Sequence, residues 1–218
     1  MPLTKHCEDV MIASTNSTEL VDAIFRRSQI TIRKKCLSLQ KAVRIPVSKM
    51  VLCAFFAALT AVCAQVTIPI GTIPVTLSLL PVLLCAALLG KWYSSLAMVV
   101  YLLLGLFGAP VFSGMTGGAA KLFGVTGGYI LGYIPCVFLT GWIMEKWGTS
   151  FVKTCLAMAV GVLVCYAFGT AWFMVISGKG LMESLGLCVL PFLPFDAVKI
   201  LIASALYVRL REPLKKLM

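Results

Sequence analysis

From Met50 onward, apolar segments alternate with short polar or Gly/Pro-containing breaks. A helix that crosses a bilayer unaided needs about 20 mostly apolar residues. Two shorter segments, joined at Gly90 and Lys91, need tilting or flanking elements to cross. The pattern predicts an all-α, polytopic integral membrane protein with six transmembrane helices. The predicted spans are Met50–Val66, Val75–Leu89, Trp92–Phe107, Gly127–Met144, Thr154–Ile176 and Leu185–Val208.

The first 45 residues differ in character from the rest, because they are polar and basic. They lack the short apolar core and the cleavage site of a signal peptide. We therefore predict two regions: residues 1–45 as a basic cytoplasmic N-terminal extension, and residues 46–218 as a six-helix membrane domain.

The net charge of +11 is distributed unevenly between the predicted loops. With the N-terminus inside, sixteen of the nineteen Lys and Arg residues lie in inner segments, whereas only Lys121 and Lys179 lie in outer ones. Basic residues concentrate on the cytoplasmic side of membrane proteins. The distribution predicts a multi-pass protein of the cell membrane with both termini in the cytoplasm. It indicates that the basic residues lie beside membrane lipid and do not form a nucleic-acid-binding surface.

The composition excludes several classes of function. The chain is 60% apolar and 12% charged, with a mean hydropathy of +0.99, and it contains one histidine. It has no GxxxxGK[ST] motif for binding ATP. Its nine cysteines form no CxxC pair and mostly occupy apolar runs, where cysteine packs as a small hydrophobic residue. We expect neither a soluble enzyme nor a metal site, and no cofactor.

Three interruptions of the apolar pattern fall on the predicted outer half. Residues 67–76 (TIPIGTIPVT) contain two prolines and cannot form a regular helix. Residues 108–129 contain seven glycines, which let a backbone approach another group closely. The third is PFLPFDAVK, residues 191–199. Irregular backbone at membrane depth is tolerated where it is buried in protein or lines a cavity.

The third interruption places two ionisable residues inside the last predicted span. Asp196 and Lys199 are three residues apart, so they share a helix face and form a pair. Each charge costs about 2.5–3.5 kcal/mol at the bilayer centre, and such residues usually have a function. The alternative is a carboxylate at a helix start that a neighbouring lysine neutralises.

Small residues recur four apart on the first predicted span, a spacing that allows helices to approach closely in lipid. They either pack the protein's own bundle or bind a partner membrane subunit. These residues are Ala54, Ala57, Ala58 and Ala61.

The stretches VTIPIGTIPVTLSLL, LLGLFGAPVFSGMTGG, LFGVTGGYILGY and PFLPFDAVK occur in this order along the chain. Together they resemble the biotin-specific substrate-capture (S) subunits of energy-coupling-factor (ECF) transporters, the BioY family. The resemblance covers residues 50–211 and departs from the family at Val125, usually Pro, and Phe195, usually Gly. It implies that residues 46–218 are a biotin-binding S-component bundle. It also implies a transmembrane coupling subunit and a pair of ATPases as partners, with the alanines of the first helix contacting the coupling subunit.

Biotin has a ureido group, an apolar fused ring and a carboxylate on an aliphatic tail. We expect Asp196 to accept from the ureido N–H groups, Lys199 to donate to the ureido oxygen and Lys121 to meet the carboxylate; the two lysine roles are interchangeable at this stage. The other expected binding residues, including apolar walls and close-approach glycines, are Phe112, Gly117, Gly118, Thr126, Gly127, Gly128 and Tyr129.

Three alternatives stay open from the sequence. They are an S subunit for another vitamin, a stand-alone biotin carrier, and a membrane-embedded transferase. The transferase is disfavoured because the outer half lacks histidine and clustered carboxylates for acid–base catalysis.

Overall fold

The computed structural model describes residues 47–68, 74–147 and 150–215. The predicted N-terminal extension, residues 1–45, lies outside these residues. Within them helices form almost all regular structure, as lipid requires, because a helix satisfies its backbone N–H and C=O groups internally. The elements are α1 (Val47–Gln65), β1 (Thr67–Ile68), β2 (Val75–Thr76), α2 (Leu79–Leu106), α3 (Ala119–Leu122), α4 (Gly127–Leu131), α5 (Tyr133–Trp147), α6 (Phe151–Ser177), α7 (Leu181–Cys188) and α8 (Leu193–Lys215).

Four helical runs of the described residues are long and apolar enough to cross a membrane: α1, α2, the combined run Gly127–Trp147 and α6. The pair α7 and α8 passes the same test jointly, although the chain bends by 52° between them, and brings the number to five. The chain is therefore a mostly helical, multi-pass membrane protein, as the apolar pattern predicts.

The helix α2 is interrupted at Gly90, whose φ of 74° and ψ of 177° are not helical. Both Leu79, at its start, and Tyr101, near its end, line one cavity. A straight helix would separate these two residues by about 33 Å. The chain therefore reverses at Gly90, and α2 consists of two arms, as the predicted hinge at Gly90 and Lys91 requires.

The first interruption, residues 67–76, begins and ends in short strands rather than in a helix. β1 and β2 pair antiparallel, with Thr67 opposite Thr76 and Ile68 opposite Val75. The amide of Leu77 also donates to the carbonyl of Val66 at 3.1 Å. These bonds hold the end of α1 beside the start of α2.

The bundle core lies around α2 and α6. α2 packs against α1, α5 and α8, whereas α6 packs against α4, α5, α7 and α8. Tyr101, Phe112 and Phe173 are the largest of its fully buried side chains. Large apolar side chains such as Phe107, Val175 and Met182 are exposed instead, as a surface in contact with lipid requires.

Candidate functional site

The centre of the site is a buried ion pair on α8. The Nζ atom of Lys199 lies 2.7 Å from Oδ1 of Asp196, one helical turn earlier. Asp196 is 4% exposed and Lys199 is 7% exposed, so both charges are removed from bulk solvent. Removing a charge from water is costly unless it is paired and hydrogen-bonded. The i, i+3 pairing predicted from the sequence is present.

A tyrosine from a neighbouring helix completes the coordination of this carboxylate. The hydroxyl of Tyr166, on α6, donates to Oδ2 of Asp196. Asp196 stands in the first turn of α8, near the positive end of the helix dipole, which favours a negative charge there. The carboxyl group of Asp196 thus has three favourable partners: one cation, one hydroxyl and the start of a helix.

The ion pair forms part of the wall of a cavity that encloses about 670 Å³ of empty space, including volume open to solvent. Small-molecule sites typically have mostly apolar walls with a few placed polar groups. The lining residues come from α1, α2, α4, α5, α6, α8 and four intervening segments. They are Ala64, Pro74, Thr76, Ser78, Leu79, Tyr101, Ser113, Thr126, Tyr129, Ile130, Tyr133, Cys165, Tyr166, Phe192, Asp196 and Lys199.

A chain of three hydroxyl groups forms a second polar feature of this wall. Oγ1 of Thr76 lies 2.6 Å from Oγ of Ser78, which in turn lies 2.7 Å from the hydroxyl of Tyr133. The hydroxyl of Tyr129 lies 3.2 Å from Oγ1 of Thr170. The cavity therefore offers hydroxyl donors and acceptors in addition to its single ion pair.

Four of the residues predicted from the sequence line this cavity together: Asp196, Lys199, Tyr129 and Thr126. Lys121, on α3, is half-buried and is not among the lining residues. Phe112 does not line the cavity either, because it is fully buried in the core, edge-to-face with Tyr101 at 5.7 Å between ring centroids. The structure therefore brings the ion pair and the α4 region together, but not Phe112 and Lys121.

The predicted glycines allow close packing within the protein. A Cβ at Gly127 would lie 1.7 Å from the carbonyl oxygen of Leu122, and one at Gly128 would lie 2.2 Å from the Trp172 side chain. A Cβ at Gly117 would lie 2.2 Å from the carbonyl oxygen of Ala109. Gly118 has a φ of 91°, a conformation that favours glycine, with open space beside it.

The two positions that depart from the family pattern lie away from the cavity lining. Phe195 is 39% exposed and is not among the residues that line the cavity. Val125 is partly buried against the core of the bundle.

Several residues of the cavity wall are not predicted from the sequence, chiefly Tyr166, Tyr133, Ser78 and Thr76. A hydroxyl in an apolar span looks like any other core residue. One signal was available: a buried carboxylate needs donors, and the tyrosines of neighbouring spans are the natural source. The hydroxyl groups at the end of the first interruption, residues 67–76, were a second signal.

The alanines predicted to contact a partner divide between two faces of α1. Ala54 and Ala58 are exposed, Ala61 is half-buried, and Ala57 is buried against the bundle at 1% exposure. The exposed alanines share their face with large apolar side chains, including Phe55 at 56% exposure.

Comparison with known proteins identifies the family. A protein-family model described as "BioY family" matches residues 33–216 of the chain. The chain belongs to the BioY family. The biotin transporter BioY of Thermotoga maritima is 35% identical to it over 164 residues, which cover 75% of this chain and 96% of that relative. The probable biotin transporter BioY of Pyrococcus horikoshii is 38% identical over 160 residues, covering 73% and 94%.

A solved structure agrees with this assignment to the BioY family. It is the crystal structure of the S-component for biotin from an ECF-type ABC transporter. It matches with a TM-score of 0.72 and 28% identity, and the match covers 76% of this chain and 92% of the solved one. The BioY-family chain therefore shares its fold with an S-component over most of the bundle.

Proposed function

We propose that this BioY-family chain is the biotin-specific substrate-binding subunit of an ECF-type transporter, and that it is not an enzyme. One observation carries the proposal: the wall of the cavity contains the buried pair of Asp196 and Lys199, with Tyr166 bonded to the same carboxylate. Its support is the family match together with the match to a solved S-component for biotin.

The chemistry of the cavity suits the ureido end of biotin. Asp196 offers a carboxylate oxygen to a ureido N–H group, and Lys199 offers its ammonium to the neighbouring ureido oxygen. Charge-assisted hydrogen bonds of this kind are roughly twice as strong as neutral ones. The aromatic rings of Tyr129, Tyr101 and Phe192 supply apolar wall for the fused ring system.

Lys121 is the proposed partner of the biotin carboxylate. It lies on α3, five residues before Thr126 of the cavity wall, in the Gly-rich segment. Replacing Lys121 by Ala should weaken the binding of biotin strongly and that of biotinamide, which lacks the charged tail, much less. Equal losses for the two ligands would remove Lys121 from the site and leave Lys199 as the cation for the tail.

We place the cavity end of the bundle outside the cell. Six spans result when the two arms of α2 count separately, α4 and α5 count as one, and α7 and α8 count as one. The opposite end of the bundle carries two basic residues, Lys91 and Lys146. The Nζ atom of Lys91 lies 3.0 Å from Oε2 of Glu145, the residue before Lys146. Basic residues at that end support a cytoplasmic location for it and for both termini.

The exposed face of α1 is the proposed contact for a transmembrane coupling subunit, which would work with a pair of ATPases. Ala54 and Ala58 lie four residues apart on this face, and small residues at this spacing let two helices approach closely in lipid. Ala57, by contrast, packs within the chain's own bundle.

A binding assay with purified protein and a panel of vitamins tests the proposed ligand. Biotin should bind far more tightly than the other vitamins, and preference for another vitamin would make the chain an S subunit of different specificity. Uptake of radiolabelled biotin with and without the coupling subunits tests the transport role. Equal uptake in both cases would indicate a stand-alone carrier.

A further inference from the structure

Gln65, the last residue of α1, makes an unusual set of contacts with the Gly-rich segment. The two hydrogens of its side-chain Nε2 are shared among three carbonyl oxygens, those of Pro110 at 3.1 Å, Phe112 at 3.2 Å and Ala61 at 3.2 Å. Its Oε1 accepts from the amide of Met115 at 2.9 Å. Both ends of one side-chain amide thus bond to the backbone of residues 110–115.

These bonds hold a tight turn, residues 112–116, which we call the Ser113 turn. The turn is closed by the amide of Phe112, which donates to the carbonyl of Thr116 at 2.9 Å. Gly114 and Met115 both have positive φ, 73° and 56°. Within the turn the hydroxyl of Thr116 also donates to the carbonyl of Ser113 at 2.9 Å. A positive φ is unfavourable for a residue such as Met, and the amide of this residue is the one that Gln65 binds from outside the turn.

The Ser113 turn is also part of the cavity wall, through Ser113 itself. Its neighbours fix only one side of it: the ring of Phe112 is buried in the core, and the hydroxyl of Tyr101 donates to the carbonyl of Val111 at 3.1 Å. Ser113, Gly114 and Met115 project from this anchor, and Gly114 and Met115 are exposed. On the exposed side, Gln65 makes the bond to Met115.

We propose that Gln65 is a latch: it positions the Ser113 turn against the cavity and thereby sets the rate at which biotin enters and leaves. Gln65 is a positioning residue, since it acts through the backbone of residues 110–115. The ligand named here rests on the proposed function, whereas the latch itself does not. Because Gln65 ends the helix α1, the latch also ties the wall of the cavity to the helix proposed to contact the coupling subunit.

Two substitutions separate a latch from simple packing. Gln65→Ala removes every contact of the side-chain amide with residues 110–115 and Ala61. Gln65→Glu keeps the size and the acceptor for Met115, but it turns a carboxylate oxygen towards the carbonyl oxygens of Pro110 and Phe112. Val66→Ala is the matched control, because the adjacent Val66 side chain is 57% exposed and its backbone bond to Leu77 survives the change.

The first readout needs no ligand: hydrogen exchange of the Phe112 amide, measured by NMR in the full-length protein. This amide bonds within the turn and not to Gln65, so its exchange reports opening of the turn. Exchange should be about tenfold faster in Gln65→Ala and at least as fast in Gln65→Glu, and unchanged in Val66→Ala. Wild-type exchange in both Gln65 variants would overturn the latch.

The second readout is the release of radiolabelled biotin into an excess of unlabelled biotin. Both Gln65 variants should release biotin about tenfold faster, with the association rate also raised, so that Kd changes less than the dissociation rate. Wild-type release from Gln65→Glu would mean that the side chain only fills space. If the wild-type protein binds no biotin, the proposed function fails, and hydrogen exchange still decides the latch.

Discussion

The ammonium of Lys199 lies 2.7 Å from one oxygen of Asp196, while the hydroxyl of Tyr166 bonds to the other oxygen of the same carboxylate. An ionised carboxylate has about four lone-pair positions. One position on each oxygen is therefore left for a ligand. In the five-membered ureido ring of biotin the two N–H groups diverge on either side of the carbonyl, so each N–H lies beside an acceptor. One N–H can therefore donate to Asp196 while the carbonyl oxygen accepts from Lys199, and the bonds of Lys199 and Tyr166 to Asp196 are kept.

Asp196→Asn should weaken biotin binding by about 1.5–3 kcal/mol, because a neutral amide loses the charge-assisted bonds. Asp196→Ala should cost more, since it leaves Lys199 unpaired in a buried site. Isothermal titration of the purified variants measures both effects. The matched control is Glu183→Gln, which makes the same chemical change at an exposed carboxylate paired with Lys179. Wild-type affinity in Asp196→Asn would make the pair purely structural.

Tyr166→Phe should weaken biotin binding by about 1–3 kcal/mol, because Oδ2 of Asp196 loses its buried hydroxyl donor. Tyr207→Phe removes a hydroxyl from a buried tyrosine of α8 that does not line the cavity, and it should bind biotin as the wild type does. Equilibrium binding of radiolabelled biotin compares the two. Equal effects from both changes would argue against a role for the Tyr166 hydroxyl in the site.

Ala58→Trp should abolish ATP-driven uptake while leaving biotin binding intact, because Ala58 is exposed on α1 and is not part of the buried core. The indole would prevent close approach of a partner helix. Ala57→Trp is the informative contrast: at 1% exposure this residue has no space for an indole, so folding itself should fail. Uptake and binding are measured on the same membrane preparations. Loss of biotin binding in Ala58→Trp would assign this face to the chain's own packing.

Gly90→Ala should lower the free energy of unfolding by about 1–3 kcal/mol, because Gly90 combines a φ of 74° with a ψ of 177°, a backbone conformation that essentially only glycine adopts. The added Cβ would also lie 3.0 Å from Oε1 of Glu145. Thermal unfolding in detergent gives the comparison with Gly186→Ala, a glycine in α7 with open space around its Cβ position. A Gly90→Ala protein as stable as Gly186→Ala would contradict the strained reversal.

Cysteines introduced at Ser113 and at Lys216 should react with impermeant reagents from opposite sides of the membrane. Ser113 lies in the wall of the cavity, which we place outside, and the basic C-terminus is predicted to be inside. Labelling in intact cells and in inverted vesicles distinguishes the two sides. Reaction of both positions from one side would overturn the topology.

The sequence predicts the ion pair because helical spacing alone decides it: residues three apart meet on one face wherever the helix is formed. The hinge at Gly90 follows in the same way from a glycine beside a lysine between two apolar runs. Tyr166 and the hydroxyl chain that ends at Tyr133 are different, since their partners lie on other segments and depend on how the helices pack. No spacing along the chain encodes that packing.

The glycines and Phe112 illustrate a second limit. Glycine indicates that something approaches closely, but the neighbour at Gly128 is the Trp172 side chain and the neighbour at Gly127 is the Leu122 backbone. An aromatic ring in a loop serves equally as cavity wall or as core anchor, and Gly105 decides the matter for Phe112. A Cβ at Gly105 would lie 2.0 Å from the Phe112 ring, so this glycine makes room for the ring in the core.

The reversal at Gly90 has a consequence for biosynthesis. The arm from Leu79 to Leu89 has a length of about 16 Å and the arm from Lys91 to Leu106 about 24 Å, at 1.5 Å per residue. Each is shorter than the hydrocarbon core of about 30 Å. Neither arm alone is long enough to insert across the membrane. We therefore expect the two arms to insert together, as a helical hairpin. In the proposed orientation Lys91, at the tip of this hairpin, lies on the cytoplasmic side. Its positive charge opposes transfer of the tip across the membrane, so the tip stays on the side where the ribosome works.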